Sequence, residues 1–463
     1  MIATGVKAVS SLRDEDFPDL LTLHHADPAR YPHLLESVVT GTPQARFDIL
    51  FAFPQQTVCL DPQRRLLKDG DTLGAGDFLA VFEREWREQA SRDGAAESPA
   101  AGLPFTGGWF VFLGYELAPE IEPTLACLTP VDGLPVAMAT RFPAAVIRDH
   151  RTRDVHLVCE PAWAPRLLPQ MQHDLNRRER PAPAEWRLAA LHEEPPQRYL
   201  QGVERIKQYI RAGDVFQVNL SRLWQASTAE PLPAGELYHR LRAANPAPFA
   251  GLMTLDGDRA VVSSSPERLV RVANGRISTR PIAGTYPRSG DPARDRQLAR
   301  ALVAHPKERA EHVMLIDLER NDLGRVCRAG TVKVRDFMVV ESYRHVHHIV
   351  SEVTGELQPG IGPAQVMRAV FPGGTITGCP KVRCMQIITE LEQAPRGAYT
   401  GAMGYVNHDG SMDLNILIRT LVKERGRIGF RAGSGIVADS IPARELQETR
   451  NKAKGLVAAL QTP

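Results

Sequence analysis

Two short stretches carry pairs of glutamates at a spacing that suits a metal site. His305–His312 reads HPKERAEH and holds Glu308 and Glu311; Arg444–Lys452 reads RELQETRNK and holds Glu445 and Glu448. Pro306 and Pro442 suit a helix start, and apolar residues follow at three-to-four spacing: Val313 and Ile316 in one, Val457 and Leu460 in the other. Glutamates three apart share one helical face within a single turn. Four such oxygen donors on two helices suit a hard divalent cation, most simply Mg²⁺ with water and substrate completing the octahedron. Glutamates near a helix N-terminus also complement the helix dipole with no ligand at all. The metal reading therefore needs support from the rest of the chain.

Several turns place polar residues beside glycine. Ser265-Pro266-Glu267-Arg268 ends an extended run on a carboxylate. Pro281-Ile282-Ala283-Gly284-Thr285 sets a hydroxyl next to Gly284, where backbone N–H groups can approach an anion. Phe371–Lys381 (FPGGTITGCPK) is a Gly-rich loop entering a helix at Pro380. Ala432–Val437 (AGSGIV) precedes the second glutamate pair. Taken singly, each is equally a structural turn.

The elements that must position these residues read as follows. Tyr199, Val203, Ile206 and Ile210 form a helical stripe that stops at Gly213. Asp214–Trp224 alternates, with Phe216, Val218, Leu220 and Trp224 on one face and Gln217, Asn219 and Ser221 on the other. Asn274-Gly275 marks a hairpin, and Met412, Leu414, Ile416 and Ile418 alternate with Asp413, Asn415 and Arg419. Before these come a helical patch at Leu34–Val38, strands at Arg46–Ala52 and Thr57–Leu60, and a Gly-bounded buried strand over Gly107–Tyr115. The Pro-rich stretch Pro161–Pro196, centred on Pro181-Ala182-Pro183, reads as a connection between two parts, 1–185 and 195–463. Strands and helices follow no regular βα rhythm, so the expected class is α+β. Neither a G-x-G-x-x-G nor a P-loop signature occurs.

Bulk properties narrow the function. The 463 residues are 43% hydrophobic and 24% charged, with a formal charge of +2, which offers no electrostatic case for nucleic acid or membrane partners. No apolar run is long enough to span a bilayer, and the N-terminus lacks a signal-peptide core. Six scattered cysteines without a CxxC pair fit a reduced, cytoplasmic protein.

In their order along the chain, these segments resemble the chorismate-utilising enzymes: anthranilate synthase component I, aminodeoxychorismate synthase component I, and the isochorismate and salicylate synthases. The resemblance is dense from Tyr199 onward. It rests on DVFQVNLS (Asp214–Ser221), SPER, PIAGT, KERAEH, DLERNDLGRV, HHIVS, FPGGTITGCPK, IRT, and AGSGIVADS followed by the helix bearing NKA. Gln217–Leu220, His347–Ser351, Gly114–Leu117 and Met412–Arg419 look most like the aminodeoxychorismate synthase branch. Ala283 departs from it, because that branch often carries a lysine there, as PIKGT, thought to attack the substrate ring.

The resemblance implies an anthranilate synthase component I-like fold, two large sheets packed as a sandwich with helices outside. It implies chorismate as substrate and Mg²⁺ on Glu308, Glu311, Glu445 and Glu448. Arg419 and Lys452 would hold substrate carboxylates, helped by Gly284, Thr285, Gly433, Gly435 and Tyr399. Glu267 or His348 would protonate the departing hydroxyl, with Gln217 and Thr285 facing the reaction. Leu35, Glu36 and Ser37, with Asn245, Pro246, Pro248 and Phe249, match a tryptophan pocket of related synthases. No glutaminase elbow (Gly-x-Cys-x-Gly) is present, and the length excludes a fused form, so the expected partner is a separate glutamine amidotransferase subunit supplying ammonia. The expected activity is amination of chorismate to 4-amino-4-deoxychorismate for p-aminobenzoate and folate synthesis. Anthranilate synthase component I is the nearest alternative, and a catalytically silent tryptophan-binding subunit a remote one. With Ala283 in place of lysine, a non-covalent route is expected.

Overall fold

The computed structural model describes residues 6–9, 19–39, 45–74, 76–92, 102–126, 128–130, 133–176, 186–228, 230, 232–342 and 346–461. Among these, period-two apolar patterns build two antiparallel sheets of 12 strands each. Phe51, from the strand Phe47–Ala52 of one sheet, meets Phe110, from Gly108–Leu113 of the other, with ring centroids 5.4 Å apart. Ile49, Phe112, Ile147, Met253 and Met403 complete this inner layer, so the sheets stack face to face. Each aromatic buried there contributes roughly 1.5–3 kcal/mol.

Helices close the outer faces. Leu20–Ala26, Ala164–Leu175, Ala234–Ala244 and Pro442–Gln461 cover the first sheet. Phe78–Arg92, Pro306–Gly324 and Pro363–Val370 cover the second. The architecture is the expected α+β sandwich with helices outside.

Both sheets draw strands from both halves of the chain. Phe249–Thr254 pairs with His33–Glu36, and Ala402–Asn407 pairs with Gly108–Leu113. The 1–185 and 195–463 segments thus share their cores.

Several local expectations hold. Pro306 and Pro442 open their helices, and Asn274-Gly275, both at positive φ, turn the hairpin between Arg268–Ala273 and Arg276–Thr279.

Others are corrected. Leu34–Val38 is not helical: His33–Glu36 is a strand between Phe47–Ala52 and Phe249–Thr254, so long-range pairing overrides a weak local preference. The Pro161–Pro196 stretch is more than a connection, since it holds the helix Ala164–Leu175 and the strand Leu188–Glu193; Pro181-Ala182-Pro183 lies outside the described residues. The strand predicted from Asp214 begins at Gln217, leaving Phe216 outside it and 68% exposed. Val313 is 43% exposed, not packed inward as its spacing suggested. The strand from Met412 stops at Ile416, short of Arg419.

No helix among the described residues is long and apolar enough to cross a membrane. The five described cysteines are free.

Candidate active site

The strand Gln217–Thr228 runs antiparallel to Arg427–Ile436, which sets Asn219 opposite Gly435 and Ser221 opposite Gly433. These glycines make room for side chains. A Cβ on Gly433 would stand 2.8 Å from both Asn219 Oδ1 and Tyr399 Oη, and one on Gly435 would stand 2.4 Å from Gln217 Nε2. Lys452 Nζ donates to the Gly433 carbonyl at 3.0 Å. In an antiparallel strand the N–H and C=O of one residue point the same way, so the Gly433 amide also faces Lys452 rather than the Gln217 strand.

Beneath this wall lies a buried ionic network. The Glu392 carboxylate accepts from Arg396 at 2.7 Å, Arg431 at 3.1 Å and the Ser221 N–H at 2.8 Å. Arg396 also donates to the carbonyls of Asn219 (2.8 Å) and Ile376 (3.2 Å), and its guanidinium lies 5.5 Å from the Tyr399 ring centroid. Glu116, from the first half of the chain, accepts from the N–H groups of Arg396 and Gly397. Removing one partner from such a network strands a buried charge, and the network meets both the Asn219 backbone and the Tyr399 ring.

On the second sheet, Ile282–Pro287 pairs with Val346–Glu356, and Thr285 lies opposite His348. The ladder shifts between Ala283 and Thr285, and Gly284 there has φ +65°, a conformation suited to glycine. A side chain at Gly284 would meet Glu308 Oε2 at 2.8 Å, so the glutamate packs against bare backbone. The Thr285 side chain lies outside the described ones. His348 Nδ1 lies 3.4 Å from the Gly284 carbonyl, and burial, reinforced by Arg419, pushes its pKa down to about 4. The imidazole is therefore neutral near pH 7 and carries no extra proton to donate.

Glu267 sits in the turn between Arg259–Ser265 and Arg268–Ala273, as the SPER motif suggested. Burial raises its carboxyl to about 7, while Thr375, Lys452 and Arg419 oppose the rise. Of the two proposed acids, Glu267 is the one that carries a proton near neutrality. Arg419 adopts φ 52°, a backbone strain that non-glycine residues keep where the surroundings impose it. Its guanidinium makes no hydrogen bond or ion pair among the described residues, and burial lowers its pKa against the pull of Glu267. A buried cation without a hydrogen-bonded partner is a ready anchor for an anionic ligand.

Of the four glutamates, Glu308 and Glu448 act on Glu311, while Glu445 acts on Tyr199. No group of three or more His, Cys, Asp or Glu among the described residues is gathered closely enough to grip a metal by itself. Glu311 nonetheless behaves as a carboxylate that lacks a cation: burial first, then Glu308 and Glu448, raise it to about 7 against Lys307 and Lys452. Glu448 is meanwhile paired with Lys452 at 2.7 Å. An oxygen-only donor set of this kind, completed by substrate and water, fits Mg²⁺.

Three further side chains mark the interior as a ligand site. Gln217 Oε1 and Asn219 Oδ1 are buried and have no hydrogen-bond partner, and the buried Thr375 hydroxyl meets no strict hydrogen-bond geometry although it lies near enough to Glu267 to lower its pKa. Orphaned polar atoms of this kind are rare and call for a ligand or water. Asn219, on the polar face it shares with Gln217 in the sequence, is expected beside the ammonia entry; Thr375, in the Phe371–Lys381 loop, stands outside the residues expected at the site. A groove of about 1050 Å³ reaches the region from outside, lined by Phe216, Gln217, Glu311, Val313, Asp322 and Lys381. Glu267, His348 and Arg419 do not line it.

The tryptophan-pocket residues are only partly gathered. Leu35, Glu36, Ser37, Pro248 and Phe249 line a separate cavity of about 90 Å³ with Arg268 and Asn415. Asn245 and Pro246 are not on its wall, and Gly455 of the Pro442 helix packs against Asn245 instead. Glu36 is already engaged by Arg242 at 2.9 Å and Tyr238 at 2.6 Å.

The family model described as chorismate binding enzyme matches residues 38–458. The chain belongs to the chorismate-binding enzyme family. Among relatives in this family, "Anthranilate synthase component 1" of Thermus thermophilus is 39% identical over 97% of this chain and 96% of its own length. "Aminodeoxychorismate synthase component 1" of Klebsiella aerogenes is 37% identical over 93% of each. The crystal structure of anthranilate synthase component I from Streptococcus pneumoniae superposes with a TM-score of 0.73 at 31% identity, covering 90% of this chain and 93% of that one. The chorismate-binding family and the α+β fold read from the sequence are thereby established.

Proposed function

We propose that this chain aminates chorismate to 4-amino-4-deoxychorismate, using ammonia delivered by a glutamine amidotransferase subunit. The observation that carries the amination reading is the pair of unpartnered buried oxygens, Gln217 Oε1 and Asn219 Oδ1, with Gln217 on the wall of the groove. Ammonia is a small hydrogen-bond donor, and two unsatisfied acceptors can hold it as it arrives from outside. Amination at C4, rather than C2, is supported by the motifs QVNL, HHIVS and MDLNILIR and by the Klebsiella aerogenes relative. The second reading, anthranilate formation, is favoured by Ala283 and by the Thermus thermophilus relative.

Chorismate is a dianion, and this chain offers it cations and fixed donors. Arg419 can take one carboxylate bidentately. Lys452 can serve another once Glu448 is drawn elsewhere, with the Gly433 amide beside it. Glu308, Glu311, Glu445 and Glu448 would hold Mg²⁺, which supplies Lewis-acid withdrawal of charge through a ring carboxylate. Glu267 protonates the hydroxyl leaving C4, Gln217 and Asn219 orient the incoming nitrogen, and Tyr399 packs on the enolpyruvyl group. His348, neutral, orients the Gly284 carbonyl instead of acting as the acid.

Ala283 is buried and brings no nucleophile. Lys381 is paired with Asp322 at 2.5 Å and Lys452 with Glu448 at 2.7 Å. This supports direct attack by ammonia, with no adduct on either lysine expected in protein quenched during turnover. The cavity of about 90 Å³ beside Glu36 is small for a tryptophan, whose occupation would require its walls to part.

The deciding experiment incubates the protein with chorismate, Mg²⁺ and ammonium and identifies the product with and without an aminodeoxychorismate lyase. Formation of p-aminobenzoate only with the lyase supports C4 amination. Anthranilate appearing without it overturns this reading in favour of the second.

A further inference from the structure

Beyond Glu267 lies a chain of buried acids that the amination so far leaves unused. Glu319 and Asp322, one turn apart on the Pro306 helix, are 5% and 1% exposed. Asp322 accepts from Lys381 Nζ at 2.5 Å, and both residues line the groove. Two carboxyls against one buried ammonium cannot both be charged at low cost, and Glu319 is the one that keeps a proton. Burial and then Asp322 raise its carboxyl to about 8; Lys381 and the Thr279 side chain pull it down, and Glu267 adds to the rise. These four residues, from the Pro306 helix, the Lys381–Glu392 helix, the Arg276–Thr279 strand and the SPER turn, are the polar and charged groups that act on it most strongly.

Glu319 also connects inward. Its Oε1 stands 3.6 Å from where a Cβ on Gly374 would be. The next residue, Thr375, presents a buried hydroxyl beside Glu267 that favours the charged form of that carboxyl. A buried hydroxyl in that position, near two carboxyls, is where a bridging water is held.

We infer that Glu319, with Asp322 and Lys381 at the groove, forms a proton relay that reloads Glu267 in every turnover. The inference rests on the amination reading and follows from its proton balance. Where ammonium is the nitrogen source, it loses a proton at the groove to become the ammonia that attacks; where the amidotransferase delivers ammonia, the groove takes that proton from solvent. The new C–N bond leaves the nitrogen as a substituted ammonium. The C–O bond breaks, and the hydroxyl leaves as water with the Glu267 proton. Each cycle thus deprotonates Glu267 inside, and one proton becomes available at the groove, from ammonium or from solvent. Moving that proton through Asp322 and Glu319 to Glu267 closes the balance without any further acid.

The test is Glu319→Gln, which keeps shape and removes the titrating group. We expect kcat to fall at least ~10-fold with KM for chorismate unchanged. The variant should be accelerated by small weak acids such as acetic acid, which can reach Glu267 by diffusion, and not by bulky buffers. A purely structural role would alter KM or folding and create no buffer dependence. Asp322→Asn should show the same buffer-dependent rescue. In the wild-type protein, kcat in mixed H₂O and D₂O should vary non-linearly with the deuterium fraction, as multi-proton transfer requires. Wild-type kcat in Glu319→Gln, a loss that small acids do not restore, or a linear isotope dependence would each overturn the relay. Product identification stays a separate readout: if anthranilate forms, the C4 hydroxyl still departs as water and the relay is judged by the same measurements.

Discussion

Replacing Glu267 by glutamine should weaken the enzyme and strengthen the protein at once. The carboxyl is buried, and its pKa rises from 4.5 to about 7 despite the opposing fields of Lys452 and Arg419. At 1.36 kcal/mol per unit, that rise corresponds to roughly 3 kcal/mol between the two protonation states. The folded pKa lies above the unfolded one, so between pH 4.5 and 7 the folded protein holds more protons. Stability attributable to this group therefore falls as pH rises through that window, and above pH 7 the full penalty is present. Glutamine is neutral at every pH and removes the penalty. Thermal unfolding of Glu267→Gln should match wild type near pH 4.5 and occur at higher temperature near pH 8, both without substrate or metal. Turnover should move the other way, with kcat lower by ~10²–10⁴-fold as the acid is lost. Retention of kcat within tenfold, or a stability difference that does not grow with pH, would refute the assignment of Glu267 as a buried proton donor.

Other outcomes follow from the same geometry. Glu311→Gln should lower activity at least ~100-fold with normal folding by circular dichroism, since an unpaired buried carboxylate adds no stability; full activity would remove the metal site. Ammonium at raised pH should support turnover by the single chain, whereas glutamine should do so only with an added glutaminase, read by product formation. Gly435→Ala meets the side-chain end of Gln217 at 2.4 Å rather than backbone, and should reduce kcat more than stability. Gly433→Ala meets the Leu220 carbonyl at 2.6 Å and should destabilise by ~1–3 kcal/mol in denaturant titration.

The parts of this molecule legible in the sequence are those set by neighbours in the chain. Proline at the first turn fixes the Pro306 and Pro442 helix starts, and Asn274-Gly275 fixes a hairpin, because backbone sterics act within a few residues. The strand His33–Glu36 was not legible, because both of its partners are remote or need its own register to be known. Arg419 reads as the end of an alternating strand, yet its left-handed backbone arises from where Ile416 leaves the sheet. Glu319 and Asp322 lie in the DLERNDLGRV motif, where nothing local to the chain marks them as buried. Only the packing of the 3₁₀ turn Gly374–Ile376 and of Lys381 buries them.

The sharing of both sheets by distant strands also sets the order in which the chain can become safe from aggregation during its synthesis. Gly108–Leu113 cannot pair with Ala402–Asn407 until almost 300 further residues have been made. At ~5–20 residues per second, a ribosome holds that apolar strand with one edge open for roughly 15–60 s. Phe110 and Phe112 spend this interval without the Met403 side of their core. Nascent chains of this protein should therefore be held by chaperones until the last strands emerge, and a stall after Glu392 should leave a species that aggregates although most of the protein has been translated.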